Sequence, residues 1–385
     1  MDDTDLVGVL AEWCAIPSTV GDSAGAAEMR AAVAARLAAT GALIRDHPLA
    51  DGTHALVGRM RPEHTLQLLV VAHTDTPYGA DHPVRRATRE GDRLVGPGAA
   101  EMKGGIVVAL AALAALETTA DSGGLGWTLA VIPDGVHGAP QSGMLVRELA
   151  RGAAVVAVMG RAAPGGEPVR SRMGVVRLRL VVRGRAAHAA RNPGEGRNAI
   201  VALADVVGAV AGLDDPQRGV MVNVGRIGGG GTPERVPEFA VAELEVRVRK
   251  AAQLAEIPER IEQLGTGVAR RRDVDVRVEV AHATPPLPEQ AGRDTLIAAL
   301  REAGADLGVA LGPGAESAEG SLAALLADEG PVVLDGMGVV GGGVETAAEY
   351  CVAASLGERS RLLTALMRRL ARAEIWLPEW GERTG

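Results

Sequence analysis

Aromatic residues are almost missing from this chain, which has one Phe, two Tyr and four Trp in 385 residues. Its cores must therefore be packed from Val, Leu, Ala and Ile, and 47% hydrophobic content supplies enough aliphatic material to do so. Cysteine is as scarce. Cys14 and Cys351 cannot build a disulfide framework or a thiolate zinc cluster, and no CxxC occurs, so the pattern fits a reducing compartment. Positive charge is in deficit, 40 Lys and Arg against 48 Asp and Glu, for a net −8. That balance argues against broad nucleic-acid binding, which needs a basic surface to displace phosphate counterions. No apolar run reaches the roughly 20 residues that span a bilayer; the longest, IVVALAALAAL at 106–116, reads as a buried helix. The start, MDDTDLVGVLAEW, is acidic and lacks the basic opening and apolar core of a signal peptide, so a cytoplasmic location without a membrane partner is expected.

What the chain does have is regular alternation of element types. A length of 385 residues predicts two domains. Helical spacing covers 4–16, 24–40, 103–118 and 142–151, and apolar runs at 55–60, 66–73, 127–132 and 153–159 read as buried strands. Strands alternating with helices indicate an open, mostly parallel α/β sheet, whose ligands gather at the carboxyl ends of strands, where His73, Asp134 and Gly160 fall. From residue 173 the texture changes. MGVVRLRLVVRGRA alternates with a period of two, and a helix at 197–213, strands VMVNVGRIGG and FAVAELEVRVRK, a helix at 252–264 and strand DVRVEV follow. This β-α-β-β-α-β order predicts an inserted ferredoxin-like domain. The expected division is 1–172 with 285–385 for the α/β domain and 173–284 for the insert; PVVLDGM, a glycine loop and a last helix at 356–373 finish the first domain.

Two stretches carry recognisable chemistry, LLVVAHTDTPYG at 68–79 and GPGAAEMKGGIVVALAAL at 96–113. A His followed two residues later by Asp at a strand end lets the imidazole meet a metal while the carboxylate fixes the ring from behind; the same spacing also suits an ordinary polar loop. With GRAAHAARNPGEGRNAI (184–200), VNVGRIGGG (222–230) and DGMGVVGGGVETAAEY (335–350), these segments resemble, in order and spacing, the M20 family of metallopeptidases and deacylases. The resemblance covers nearly the whole chain and implies a zinc-peptidase-like α/β sheet domain interrupted by a lid domain that commonly dimerises.

The family's functional positions carry over unevenly. His73 stands at the first metal histidine, Asp75 at its supporting aspartate and Glu101 at the bridging aspartate of GxxDMKGG. Where the family has two consecutive glutamates, a general base and a metal ligand, PDGVHG places Gly135 and Val136; Asp134 and His137 are the neighbours able to compensate. Gly160 falls where a carboxylate ligand is expected, and Glu345 where the last zinc histidine is. Two zinc ions would need about seven donors, so the resemblance implies a degenerate metal site: no metal residues are assigned and no cofactor is expected, zinc being the only candidate. His188 corresponds to the family's lid histidine, which steadies the reacting oxyanion. Gly341, Gly342 and Gly343 offer backbone N–H groups to a substrate carboxylate, and Arg247 matches an arginine near that carboxylate; Glu234 replaces a substrate-binding asparagine.

These positions predict a repurposed, metal-independent enzyme of specialised biosynthesis acting on an amino-acid-like or carrier-linked substrate. His73, Asp75, Glu101, His188 and Glu345 would then do proton transfer, for a cyclisation, condensation or elimination. The competing readings are a non-catalytic partner of another protein and a residual one-metal amidohydrolase. Partner classes follow from the same residues: a homodimer through the lid, a heteromeric partner, or an acidic carrier protein met by Arg177, Arg179, Arg183 and Arg185, which share one strand face.

Overall fold

The structure is a computed structural model that describes residues 3–19, 22–79 and 82–377. The chain forms two compact units, one of residues 1–171, 288–316 and 321–385, the other of residues 172–287 and 317–320.

The first unit opens with helices α1 (Asp3–Cys14) and α2 (Ser23–Ala38), the latter capped by the Asp22 carboxylate on the N–H groups of Ala24 and Gly25. Strands β1 (Leu43–Pro48), β2 (His54–Met60) and β3 (Gln67–His73) follow, then the short pair β4 (Thr88–Glu90) and β5 (Arg93–Val95). Helix α3 (Lys103–Glu117) is apolar on nearly every side and accordingly buried from Lys103 through Leu110. β6 (Gly126–Ile132), α4 (Gly143–Arg151), β7 (Val155–Val158) and β8 (Val169–Arg172) come next. The second unit contains β9 (Gly174–Arg183), α5 (Ala199–Ala211), β10 (Val220–Gly229), β11 (Phe239–Val248), α6 (Gln253–Arg272) and β12 (Asp275–Thr284). The first unit then resumes with α7 (Ala291–Asp306), β13 (Ala315–Ser317), α8 (Leu322–Ala327), β14 (Val332–Leu334), β15 (Gly341–Gly342), β16 (Tyr350–Val352) and α9 (Ala353–Ala371).

The main sheet has the order β1-β2-β6-β3-β7-β14. β6, β3, β7 and β14 are mutually parallel, while β2 and β1 join antiparallel at one edge. Strands covered on both faces need continuous apolar runs, and β3 and β7 are buried along almost their whole length. The parallel arrangement brings four carboxyl ends to one edge, where His73, Asp134, Gly160 and Asp335 follow their strands. α9 packs on α3, with the Ser360 and Thr364 hydroxyls reaching the carbonyls of Val108 and Ala112. A small sheet β15-β16-β5-β4 and the pair β8-β13 complete this unit. β1 and the small sheet lie outside the strands read from sequence; β1 is largely exposed, so it has no apolar period to show.

The second unit is an antiparallel sheet in the order β10-β11-β9-β12, the split β-α-β arrangement expected from its pattern. One face, with Val176, Leu178, Leu180, Leu244 and Val246, packs on α5 and α6. α6 runs past the expected stop at 264 to Arg272. Gly265 normally weakens a helix, but here a Cβ would sit 2.9 Å from a methyl of Val276, so the glycine is what lets the helix seat on β12. Among the described residues, no helix is long and apolar enough to cross a membrane.

Candidate active site

β3 delivers His73, buried at 4% exposure, to the carboxyl edge of the sheet. Its Nδ1 lies 3.0 Å from Asp75 Oδ1, and its Nε2 lies 3.8 Å from Glu101 Oε1. Asp75 does more than orient the ring. Its two oxygens also accept the N–H groups of Gly135 and Val136, both at 2.8 Å, so one carboxylate fixes the histidine and the loop after β6 together. Burial opposes a charged imidazole at His73, but Asp75 and then Glu101 outweigh it and lift the pKa to about 10. Burial likewise opposes the ionised form of Asp75; His73 and the two backbone donors prevail and hold it below the usual carboxylate range.

Gly135 lies directly under this ring. A Cβ there would stand 2.4 Å from His73 Cγ and 2.5 Å from its Cβ and Cδ2. Carbon atoms approach favourably only to about 3.5–4.0 Å, so the imidazole fills the room a side chain at 135 would need. Gly160, by contrast, would take a Cβ at ordinary contact distance, 3.5 Å from Glu101 Oε1 and 3.7 Å from Asp335 Oδ1. Asp335 is wholly buried and follows β14. It joins Glu101 around this glycine although the sequence reading passed over it; the signal was its place after a buried strand in PVVLDGM. Arg161 N donates to Glu101 Oε2 at 3.3 Å.

Asp134 does not swing into the vacancy as the sequence allowed. Its Oδ2 accepts the N–H groups of Gln141 (2.7 Å) and Ser142 (3.0 Å), and Oδ1 accepts the Ser142 hydroxyl, which ties down the turn leading into α4. His137 sits on the single 3₁₀ turn Gly135–His137. Glu345 is exposed, with φ at +63°, on the loop between β15 and β16. The carboxylates that act on His73 are Asp75 and Glu101. Gly341 and Gly342 pair with Cys351 and Tyr350, so their backbone belongs to the small sheet, while Gly343 is exposed at φ +66°.

Glu349 is a second residue that the sequence reading missed. It is 2% exposed and accepts hydrogen bonds from the N–H groups of Gly98 (3.0 Å), Ala100 and Glu101 (both 2.9 Å) and from the Tyr78 hydroxyl. It therefore sets the backbone that presents Glu101. On the far side of that loop, buried Lys103 donates to the carbonyls of Trp13 (3.0 Å) and Ile16 (2.7 Å), and burial pulls its pKa down to about 8.

In the second unit His188 is exposed. Its Nδ1 accepts the N–H groups of Ala190 (3.1 Å) and Arg191 (3.3 Å), which leaves the proton of the neutral ring on Nε2 as a positioned donor. Arg247 forks onto Glu245 Oε1 at 3.0 and 2.7 Å and also reaches the Ala318 carbonyl. Three arginines of the stripe have acidic neighbours, Arg177 with Glu245 at 3.1 Å, Arg179 with Glu279 at 3.9 Å and Arg185 with Asp273 at 3.6 Å, while Arg183 lies over the Phe239 ring.

Residues 170–271 match the sequence profile of the peptidase dimerisation domain of M20 proteins. Carboxypeptidase G2 from Pseudomonas sp. (strain RS-16) is 27% identical over 328 residues, 82% of this chain and 76% of the relative. The chain is thus similar to M20 peptidases and carries their dimerisation domain. The fold agrees: a tripeptidase from Staphylococcus aureus superposes with a TM-score of 0.78 at 17% identity, covering 97% of this chain and 99% of that one. An M20 family metallo-carboxypeptidase from Sulfolobus solfataricus superposes with 0.76 at 17%, covering 97% and 100%.

Similarity to M20 peptidases implies a pair of zinc ions, and the donors at hand fit it poorly. Asp75 has both oxygens occupied by His73 and the 135–136 backbone, Asp134 is spent on the turn before α4, and positions 135, 136 and 160 carry no donor side chain. Among the described residues, no group of three or more His, Cys, Asp or Glu is placed to hold a metal ion.

Proposed function

We propose that this M20 homologue is a metal-independent acid–base enzyme for a small amino-acid-like substrate, in which His73 and Glu101 exchange protons with the substrate and Asp75 positions His73. The observation that carries this reading is the ring of His73 resting on Gly135. The side-chain room the family devotes to the water-activating carboxylate is given to a histidine clamped from behind by Asp75. A general acid needs a proton and a fixed direction; the Asp75 contact supplies the direction and keeps Nε2 turned toward Glu101.

Attack by the substrate's own amine on its acyl carbon is one reaction these groups suit. Glu101 accepts the amine proton as the C–N bond forms, and His73 delivers its Nε2 proton to the departing group as the C–X bond breaks. Condensation and elimination need the same two partners. The name of carboxypeptidase G2 supports a substrate with a free carboxylate. Glu345 and Gly343, on the loop before β16, are the first unit's candidates for orienting it.

The match to a dimerisation domain, with Met221, Ile227, Phe239 and Val280 exposed on the second unit, supports a homodimer. The test is turnover of N-acyl amino acids, amino-acid esters and amides by protein whose metal content is measured on the same sample. Activity that survives a chelator and is lost in Glu101→Gln and His73→Asn supports the proposal. Stoichiometric zinc that tracks with activity sinks it in favour of an amidohydrolase, and a pocket that tolerates both substitutions points to the non-catalytic partner.

A further inference from the structure

A cavity in the first unit, of about 290 Å³, lies against α9. Its walls are aliphatic, Val309, Leu311, Val340 and Leu362 among them, and its polar side is formed by Glu358 and Arg359. The volume is just below the roughly 300–1,000 Å³ of drug-sized pockets, a space for one amino acid rather than a peptide.

Arg359 is an unusual wall. It is 2% exposed, and its guanidinium donates to backbone carbonyls only: Nε to Gly338 at 3.0 Å, Nη2 to Gly336 at 2.9 Å and Nη1 to Gly166 at 2.5 Å. A guanidinium has five N–H donors, so this set leaves some unspent; the Met337 sulfur, 4.0 Å from Nη2, is a weak acceptor. Among the described residues, no carboxylate forms a salt bridge with it. Burial draws its pKa down to about 10, an effect that the nearby carboxylates of Glu358 and Glu167 offset only in part, and a buried cation with no carboxylate in direct contact is costly until an anion joins it. Glu358, one residue away on α9, is half-buried on the same cavity.

We propose that this cavity is an effector site for an apolar amino acid, its carboxylate on Arg359, its ammonium on Glu358 and its side chain against Leu311, Val340 and Leu362. The charge order suits a zwitterion better than a simple anion, which Glu358 would repel. Occupancy has a route to the cleft. Arg359 holds the carbonyls of Gly336 and Gly338, directly after Asp335, and Gly338 N donates at 2.8 Å to the carbonyl of Gly160, the floor beside Glu101. Drawing the guanidinium toward a ligand therefore loads the same backbone that carries Asp335.

The inference rests on its own cavity, and its test can fail without touching the reading of His73. Isothermal titration calorimetry of the full chain with L-leucine and L-phenylalanine should give Kd values below about 1 mM. L-Leucinamide, which lacks the carboxylate, should bind at least about tenfold more weakly, as should L-leucine to Glu358→Gln. Val309→Trp and Val340→Phe, which fill the cavity from two walls, should abolish binding while keeping a cooperative thermal transition. His73→Asn should leave the Kd unchanged. The proposal is overturned by silence up to about 10 mM, by equal binding of the amide, by binding that survives both filling variants, or by loss of binding in His73→Asn, which would place the ligand in the cleft.

Discussion

Gly135→Ala tests the arrangement on which the active-site reading stands. The added methyl would lie 2.4–2.5 Å from three atoms of His73, whereas carbon contacts settle near 3.5–4.0 Å. The ring must therefore retreat by about 1 Å or the loop must lift by as much. Neither is free to do so: His73 is 4% exposed and bound to Asp75 at 3.0 Å, and the loop is tied to the same carboxylate at 135 and 136. Overpacking of this kind costs about 1–3 kcal/mol, and separating His73 from Asp75 would add a further penalty of about 3–5 kcal/mol for stranding a buried charge. At about 2–4 °C per kcal/mol, calorimetry should show a fall of about 2–12 °C from overpacking alone, and more if the ion pair separates. The histidine Nε2 resonance should move as well. Gly135→Glu, which restores the carboxylate the family resemblance implies, should be worse still and should not create a zinc hydrolase. Gly8→Ala is the control: nothing lies within 4 Å of that position in α1, so it should stabilise by about 0.5–1 kcal/mol. A Gly135→Ala protein with unchanged melting and an unmoved His73 resonance would refute the reasoning.

Three further outcomes follow from the same contacts. His73 should stay protonated through neutral pH and lose its proton near 10, followed by NMR of the imidazole. Because its folded pKa is raised above the ordinary 6.5, the stability it brings is complete below 6.5 and fades as pH climbs toward 10; Asp75→Asn should reverse the direction of the shift, since burial then dominates. Asp134→Ala removes the acceptor of Gln141 N, Ser142 N and the Ser142 hydroxyl, and should cost about 1–3 kcal/mol in denaturant titrations without changing His73's titration. Glu349→Ala strands the N–H groups of Gly98, Ala100 and Glu101; hydrogen exchange at those three amides should rise sharply, and an unchanged exchange rate would contradict the anchoring role assigned to it.

The two architectural halves were legible because each writes its period into the chain locally. Continuous apolar runs such as 68–72 identify strands covered on both faces, and alternation at 174–183 identifies a sheet with one open face. His73 and Asp75 could be paired from sequence for the same reason, since two residues of separation at a strand end fix their geometry. Other facts were set only by the fold, because their partners lie far apart in the chain. Glu349 reaches an amide 251 residues earlier, and Asp335 and Glu101 both border Gly160. The arginines of β9 look like a basic face until the register sets Glu245 and Glu279 beside Arg177 and Arg179. Gly135 shows the division most clearly. Sequence says that a side chain is absent there, and tertiary structure says what occupies its place, because only packing decides which atoms share a volume.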